Sequence, residues 1–358
     1  TTQYFLTTTA NPAAGGTITP GSGWYNAGTA VSVSATASSC NSYGFTGFSG
    51  DLSGPSPQSL TMSGPKSVAA NFAPSLQVFK TCVGPSQTCP TCTLPIGTHT
   101  ITQQPGEILI NRSNVRVTGG GTRSQTVLVR DTGYPAAGGE SAPMMRVGVD
   151  GGSPVTGVTI ENLTFCGNSN MDRRVYAAGG VYGENLAAAV CPPPPATPTN
   201  CDNIRNDPAP DPNNRPPKCV DLQIDNADTR SSSSAPFTPD DPFNSPSTYS
   251  VTVRNSAFED ATGHAIFLSY SQTKRVNDIY IHDTDVSGSA TTGILVLGGQ
   301  AYDRKQCDAP GFSPNFSNDP NVLMPRNVRI EGNTFYNNNG GTVALLAGRW
   351  VGLRNNTF

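Results

Sequence analysis

Five stretches of the chain share one spacing of apolar and polar positions. An apolar residue is followed five places later by Phe or Val, with Asn, Asp or Gly three places before that second residue. They are VTIENLTF (Ile160 to Phe165), VTVRNSAF (Val253 to Phe258), IYIHDTDV (Ile281 to Val286), VRIEGNTF (Ile330 to Phe335) and VGLRNNTF (Leu353 to Phe358). LQIDNADT (Ile224 to Thr229) reads as a weaker sixth copy. In three copies a further strand starts eight residues on: Phe258 to Ile266, Val286 to Ile294 and Phe335 to Val343. Strand, one-residue bend, strand, turn and strand make one coil of a solenoid, and repetition at a fixed period is its sequence signature.

Alternation such as Val-x-Ile puts every second side chain on one face of a strand, and stacked coils turn those faces inward at a spacing of about 4.8 Å. The bend between two strands needs φ > 0, which Asn and Gly tolerate and β-branched residues do not. Asn162, Asn226, Asn255, Asp283, Gly332 and Asn355 occupy it. Phe165, Phe258, Phe335 and Phe358 are expected to form an internal aromatic stack. A β-sandwich, the competing architecture, predicts hairpin turns and no fixed offset. The expected fold is all-β: a small β-repeat domain followed by a right-handed parallel β-helix. From Leu94 to Phe358 the pattern resembles the pectate-lyase-like superfamily, which contains lyases, hydrolases, phage tailspikes, adhesins and structural proteins, so the resemblance implies a fold and leaves the activity open.

Residues 1–73 read as short alternating strands punctuated by Gly. Gly15-Gly16-Thr17, Ala27-Gly28, Phe45-Thr46-Gly47-Phe48-Ser49-Gly50-Asp51 and Val68-Ala69-Ala70-Asn71-Phe72 resemble the bacterial repeat related to the internalin B-repeat, with Phe48 where that family commonly has Trp. The resemblance implies a surface spacer or adhesive unit. Trp24, Tyr25, Phe45 and Phe48 read as core residues, with a sugar-stacking platform as the alternative. Residues 74–92 read as a linker or cap and 93–358 as the helix. Insertions are expected at 168–218, 230–250 and 301–326. Loops of that length serve as lids, binding loops or solvated excursions.

Composition narrows the setting. Charged residues are 13% of the chain, while 38 Gly and 31 Pro exceed the usual share of about 12%. A net charge of −3 gives no general reason to bind nucleic acid, and no stretch of 18 apolar residues spans a membrane. The opening TTQYFLTTTANP reads as a mature or trimmed N-terminus. Nine cysteines point to an oxidising compartment and a secreted or cell-surface protein. Cys82, Cys89, Cys92, Cys191, Cys201 and Cys219 lie in Pro- and turn-rich segments and are the disulfide candidates. The alternative for the first three is a Cys3His zinc site with His99.

The chemistry is less legible. In pectate-lyase-like enzymes the site lies outside the strand preceding the longer loops, with clustered carboxylates for Ca²⁺ or for acid/base work. Here those strands are HAIFLSYS, TGILVLGG and TVALLAGR. If Ile266, Ile294 and Val343 point in, then Phe267, Leu295 and Ala344 point out, followed by Ser269, Leu297 and Leu346. That face carries no carboxylate, and an apolar outer face is expected to be covered. ATGHAIF resembles the Gly-His-Gly segment of polygalacturonase-like hydrolases, with Glu259 and Asp260 upstream of His264. Ala265 replaces the second Gly, however, and a turn position for His264, level with Thr292 and Gly341, is favoured. Following loops combine charge and aromatic rings: Tyr270, Lys274 and Arg275; Tyr302, Arg304 and Lys305; Arg349 and Trp350. Such groups suit an acidic polysaccharide. Gly119–Gly121 reads as a coil turn, and the spacing of Asp207 and Asp211 matches no calcium loop.

The sequence stops inside a coil, so either further residues follow Phe358 or the edge with Leu353 and Phe358 is expected to be covered by another subunit. Two functions compete. One is a secreted bacterial surface or matrix protein acting by contact with polysaccharide or with copies of itself, as in a filament. The other is a polysaccharide lyase or glycoside hydrolase; no cofactor is expected, save Ca²⁺ in the case of a lyase.

Overall fold

The computed structural model describes residues 1–102, 107–130, 141–148, 155–167, 218–224, 246–261, 264–268, 275–289, 292–296, 325–338, 341–345 and 349–358. Residues 168–217, 230–245 and 301–324, most of the three expected insertions, lie outside them. So do Asn226, Ser269, Leu297 and Leu346. The chain forms two compact units, Thr1–Cys82 with Ser86–Pro95, and Val83–Pro85 with Ile96–Phe358.

The first unit packs two small sheets. One has the order Gly23–Asn26, Gln3–Asn11, Lys66–Pro74, Tyr43–Gly50. The other runs Gly16–Thr19, Ala30–Ala37, Gln58–Thr61. Period-2 alternation turns Leu6, Val31, Val33, Phe48, Leu60, Met62, Val68 and Phe72 into one core. Gly16 is required by that core: a Cβ there would lie 2.3 Å from the Thr36 carbonyl oxygen and 2.7 Å from the Phe72 ring. A short helix, Leu76–Cys82, follows. Disulfides Cys40–Cys89 and Cys82–Cys92 staple this unit. Those sulfurs are therefore bonded to each other rather than set around a metal with His99.

In the second unit three sheets are parallel throughout. The first contains Ile108–Ile110, Ser141–Val147, Lys218–Ile224, Ile266–Leu268, Ile294–Val296 and Val343–Leu345. The second contains Arg116–Gly119, Val155–Glu161, Pro246–Arg254, Arg275–His282, Arg326–Glu331 and Arg349–Arg354. The third contains Gly97–Ile101, Thr126–Arg130, Thr164–Cys166, Ala257–Glu259, Asp285–Ser287 and Thr334–Tyr336. Each coil visits the second, third and first sheets in turn, which makes this unit a parallel β-helix.

The register follows the sequence offsets. Ile160, Val253, Ile281, Ile330 and Leu353 lie level in the second sheet. Phe165, Phe258, Val286 and Phe335 lie level in the third, and Ile266, Ile294 and Val343 in the first. Asn162, Asn255, Asp283, Gly332 and Asn355 have φ of 58°, 44°, 50°, 67° and 51° at the bend. Two expectations change. Leu222 and Ile224 pair with Ile266 and Leu268, so the weak sixth copy belongs to the first sheet and not to the bend-forming strand. The aromatic stack is two separate pairs, because Val286 interrupts it: Phe165–Phe258 at 4.6 Å and Phe335–Phe358 at 5.5 Å.

Polar side chains tie coils together. Buried Asn333 donates through Nδ2 to the Ile281 carbonyl and accepts from Thr284 N–H at Oδ1. Asn356 repeats this one coil on, donating to the Ile330 carbonyl. At the bend, Asn255 Nδ2 donates to Asn162 Oδ1 at 2.5 Å.

Phe335→Ala is expected to cost about 3–5 kcal/mol in urea unfolding, the range for a buried aromatic cavity; a negligible effect would contradict its 2% exposure. Asn255→Val is expected to cost about 1–3 kcal/mol for forcing a β-branched residue into the left-handed region, and Asn255→Gly clearly less, measured the same way.

Candidate functional site

The exterior of the second sheet is the one described surface on which charged and aromatic side chains recur coil after coil. Its register fixes two columns. One runs Arg116, Thr159, Thr252, Tyr280, Arg329, Gly352 and the other Thr118, Glu161, Arg254, His282, Glu331, Arg354. Val117, Ile160, Val253, Ile281 and Ile330, between them in sequence, are buried inside. The bends bound this face. On one margin stand Asn162, Asn255 and Asp283; on the other, Asp278, Asn327 and Trp350 also have positive φ.

Four arginines and two glutamates project from the columns. Arg116 and Arg254 both pair with Glu161, the latter at 2.5 Å, and the two guanidinium side chains remain 48% and 46% exposed. Glu161 is buried between them, which fixes both arginines at one end of the face. Arg329 lies 4.4 Å over the Tyr280 ring, a cation–π contact. Tyr280 and His282 stack at 4.2 Å, and His282 Nδ1 lies 2.6 Å from Asp283 Oδ2. The Tyr280 hydroxyl donates to Glu331 at 3.5 Å. Arg354 is exposed on the last coil. The face can therefore present exposed guanidinium groups to a ligand, braced by the Tyr280–His282 stack, with a strand spacing of about 4.8 Å between coils.

Of the residues singled out in the sequence, Trp350 stands on the margin of this face and Arg275 and Arg349 open strands of its sheet. Tyr270, Lys274, Tyr302, Arg304 and Lys305 lie outside the described residues, as do the side chains of Arg275 and Arg349, whose backbones open strands of the second sheet. Trp350 is 68% exposed with φ 58°, an unusual conformation for so bulky a residue. His264 and Asp260 are buried, Glu259 is half-buried, and the His264 ring stacks on Phe267 at 5.8 Å. The His264 carbonyl accepts from Asp221 N–H, and Ala265 N–H donates to Thr292, which puts His264 in the turn between the third and first sheets. Leu295, on the outer side of the first sheet, is only 5% exposed. Cys191, Cys201 and the side chain of Cys219 lie outside the described residues; Cys166 is itself disulfide-bonded. Leu353 and Phe358 are 44% and 72% exposed. Among the described residues no three His, Cys, Asp or Glu side chains converge on a metal position. The sequence reading named Arg275, Arg349 and Trp350 of this sheet and missed its outer columns, although the alternation that places Ile281 inside places Tyr280 and His282 outside.

Beneath the surface, near the turn that holds His264, Arg130 and Asp221 form a fully buried ion pair at 2.9 Å. Burial pushes the Asp221 carboxyl up to about 6 from 3.8, against the opposing pull of Arg130. No described donor reaches Asp221 Oδ2.

Comparison with known proteins bears on the two units separately. The profile of the divergent InlB B-repeat domain matches residues 6–76, and the first unit is such a domain. No curated protein matches the sequence. Among solved structures, the A-module of Azotobacter vinelandii mannuronan C-5 epimerase AlgE6 is similar at 13% identity and a TM-score of 0.40, over 77% of this chain and 48% of that one. A Parabacteroides merdae protein, described provisionally as a glycosyl hydrolase, is similar at 11% identity and 0.38, over 74% and 81%. Geobacillus virus E2 ORF18 is similar at 10% identity and 0.26, over 77% and 46%. The chain thus spans about half the length of the epimerase module it matches.

The buried pair yields a pH test. Because the folded carboxyl holds its proton up to about 6 and the unfolded one only to about 3.8, Asp221 favours folding most below that lower value, and its contribution falls as pH rises to 6. Arg130→Met is expected to cost about 3–5 kcal/mol at pH 7, since it strands a buried carboxylate, and part of the loss should return near pH 4. Arg130→Met with Asp221→Leu should be near neutral and should lack this pH dependence. Urea unfolding across pH 4–7 checks all three.

Proposed function

We propose that this is an extracellular protein that works by contact, holding an acidic polysaccharide along the outer face of the second sheet. The observation that carries this reading is the column pair with its exposed Arg116, Arg254, Arg329 and Arg354 around the Tyr280–His282 stack. A surface that repeats once per coil suits a ligand that repeats once per sugar. Guanidinium groups pair with carboxylates through two parallel hydrogen bonds. Arg329 and His282 already cover the Tyr280 ring, so the arginines, and not a free ring, are the groups that hold the ligand. Within the two columns four arginines stand against two glutamates, while Asp278 and Asp283 stand on the margins. The disulfides fit an oxidising compartment, and no described helix is long and apolar enough to cross a membrane. The proposal extends to association between copies of the chain. Sedimentation velocity at rising concentration tests that part, and a concentration-independent monomer sinks it.

Affinity electrophoresis through gels containing a polyuronate tests the main claim. Retardation is expected and should weaken as salt rises, since exposed charges are screened within about 8 Å at physiological ionic strength. Arg254→Gln with Arg329→Gln should weaken retention roughly tenfold or more, about 1.4 kcal/mol, without lowering the unfolding midpoint greatly. Absence of retardation by any polyuronate, or unchanged retention in the double variant, rejects the site. New reducing or unsaturated ends in the polyuronate would replace contact with catalysis.

A further inference from the structure

We propose a second, independent sugar site on the N-terminal unit, centred on Trp24 and selective for neutral polysaccharide. Four aromatic residues of this unit read alike in the sequence, and the structure divides them. Phe48 is buried in the core, and Tyr25 and Phe45 pack against it, whereas Trp24 is 66% exposed. Its neighbour across the sheet, Phe5, meets it edge to face at 5.2 Å. The indole is thus braced on a regular antiparallel pair, Phe5 opposite Trp24 and Gln3 opposite Asn26.

The surroundings of the indole select its ligand. Alternation from inward-facing Leu6 and Val68 brings Gln3, Phe5, Thr7, Trp24, Asn26 and Ser67 to the same outer face, and no charged side chain lies among them. Gln3 Nε2 donates to Asn26 Oδ1 at 3.1 Å, which fixes an amide pair one row from the indole. A flat apolar ring beside amides and hydroxyls matches the apolar face and the hydroxyl rim of an uncharged pyranose. The charges beside Ser67, Lys66 and Asp51, pair with each other at 3.0 Å, so a uronate would have to compete with Asp51 for the lysine.

A protein partner fits less well. A stable protein interface buries about 800 Å² on each side around an apolar core. This face offers one exposed indole and one half-buried phenyl ring amid polar side chains. One sugar ring needs no more than the indole to stack on.

The chain has only two tryptophans, so Trp350→Phe leaves Trp24 as the sole indole reporter. Titration of that full-length variant with cello-, manno- and chito-oligosaccharides is expected to shift and quench its emission saturably with at least one series. In the wild-type background, Trp24→Ala should weaken retention on gels containing the matching neutral polymer at least tenfold, and retention on polyuronate should stay within twofold. Because the indole is exposed, Trp24→Ala should also fold with an unfolding midpoint close to that of the wild type. No saturable change with any series, or undiminished retention of Trp24→Ala, overturns the proposal. So does loss of self-association in Trp24→Ala with no change in sugar binding, which would assign the face to a second copy of the chain.

Discussion

Parallel pairing of each coil with the next, in a register that cannot slip, is the constraint on which the helical unit depends. A slip of one residue would exchange the inner and outer faces of a strand and expose its whole apolar set. The left-handed bend prevents this. Asn162, Asn255, Asp283, Gly332 and Asn355 fall at one level because only such residues accept φ near 50° there, and the bend locks the strand on either side of it. Asn333 and Asn356 then add hydrogen bonds that cross from one coil to the next inside the turn, where an unpaired backbone carbonyl would be costly.

The same register that buries Ile160, Val253, Ile281 and Ile330 must place their neighbours outside, one above another. The exterior of the second sheet is therefore a by-product of core formation that selection can decorate at will. Glu161 between Arg116 and Arg254, and Arg329 over Tyr280, are contacts between coils and not within them. Changing the face one residue at a time leaves the inward column intact, which makes a solenoid a convenient base for a long binding track.

How far the sequence could be read follows from this. The coils were legible because an offset of five residues between Ile281 and Val286, with Asp283 between them, reflects backbone geometry that few residues satisfy. Ile224 misled because Asn226, two residues on, imitated the bend signal in a strand that belongs to the first sheet. The phenylalanines form two pairs and not one stack because Val286 fills the level between them, where any apolar side chain of moderate size packs. The site was harder to read. The loops and His264 carry recognisable residue types, whereas the outer columns have no motif of their own. The buried pair of Arg130 and Asp221, 91 residues apart, left no local trace.

The register is tested most directly by a distance along the face. Nitroxides attached through a ketone-bearing unnatural amino acid at Thr159 and Gly352, which spares the cysteines, stand four strand spacings apart in one outer column. Pulsed dipolar spectroscopy should give a single narrow distribution near 19 Å, about 4.8 Å for each spacing. A broad distribution, or one centred well beyond that value, would contradict the stacked register and with it the continuous face.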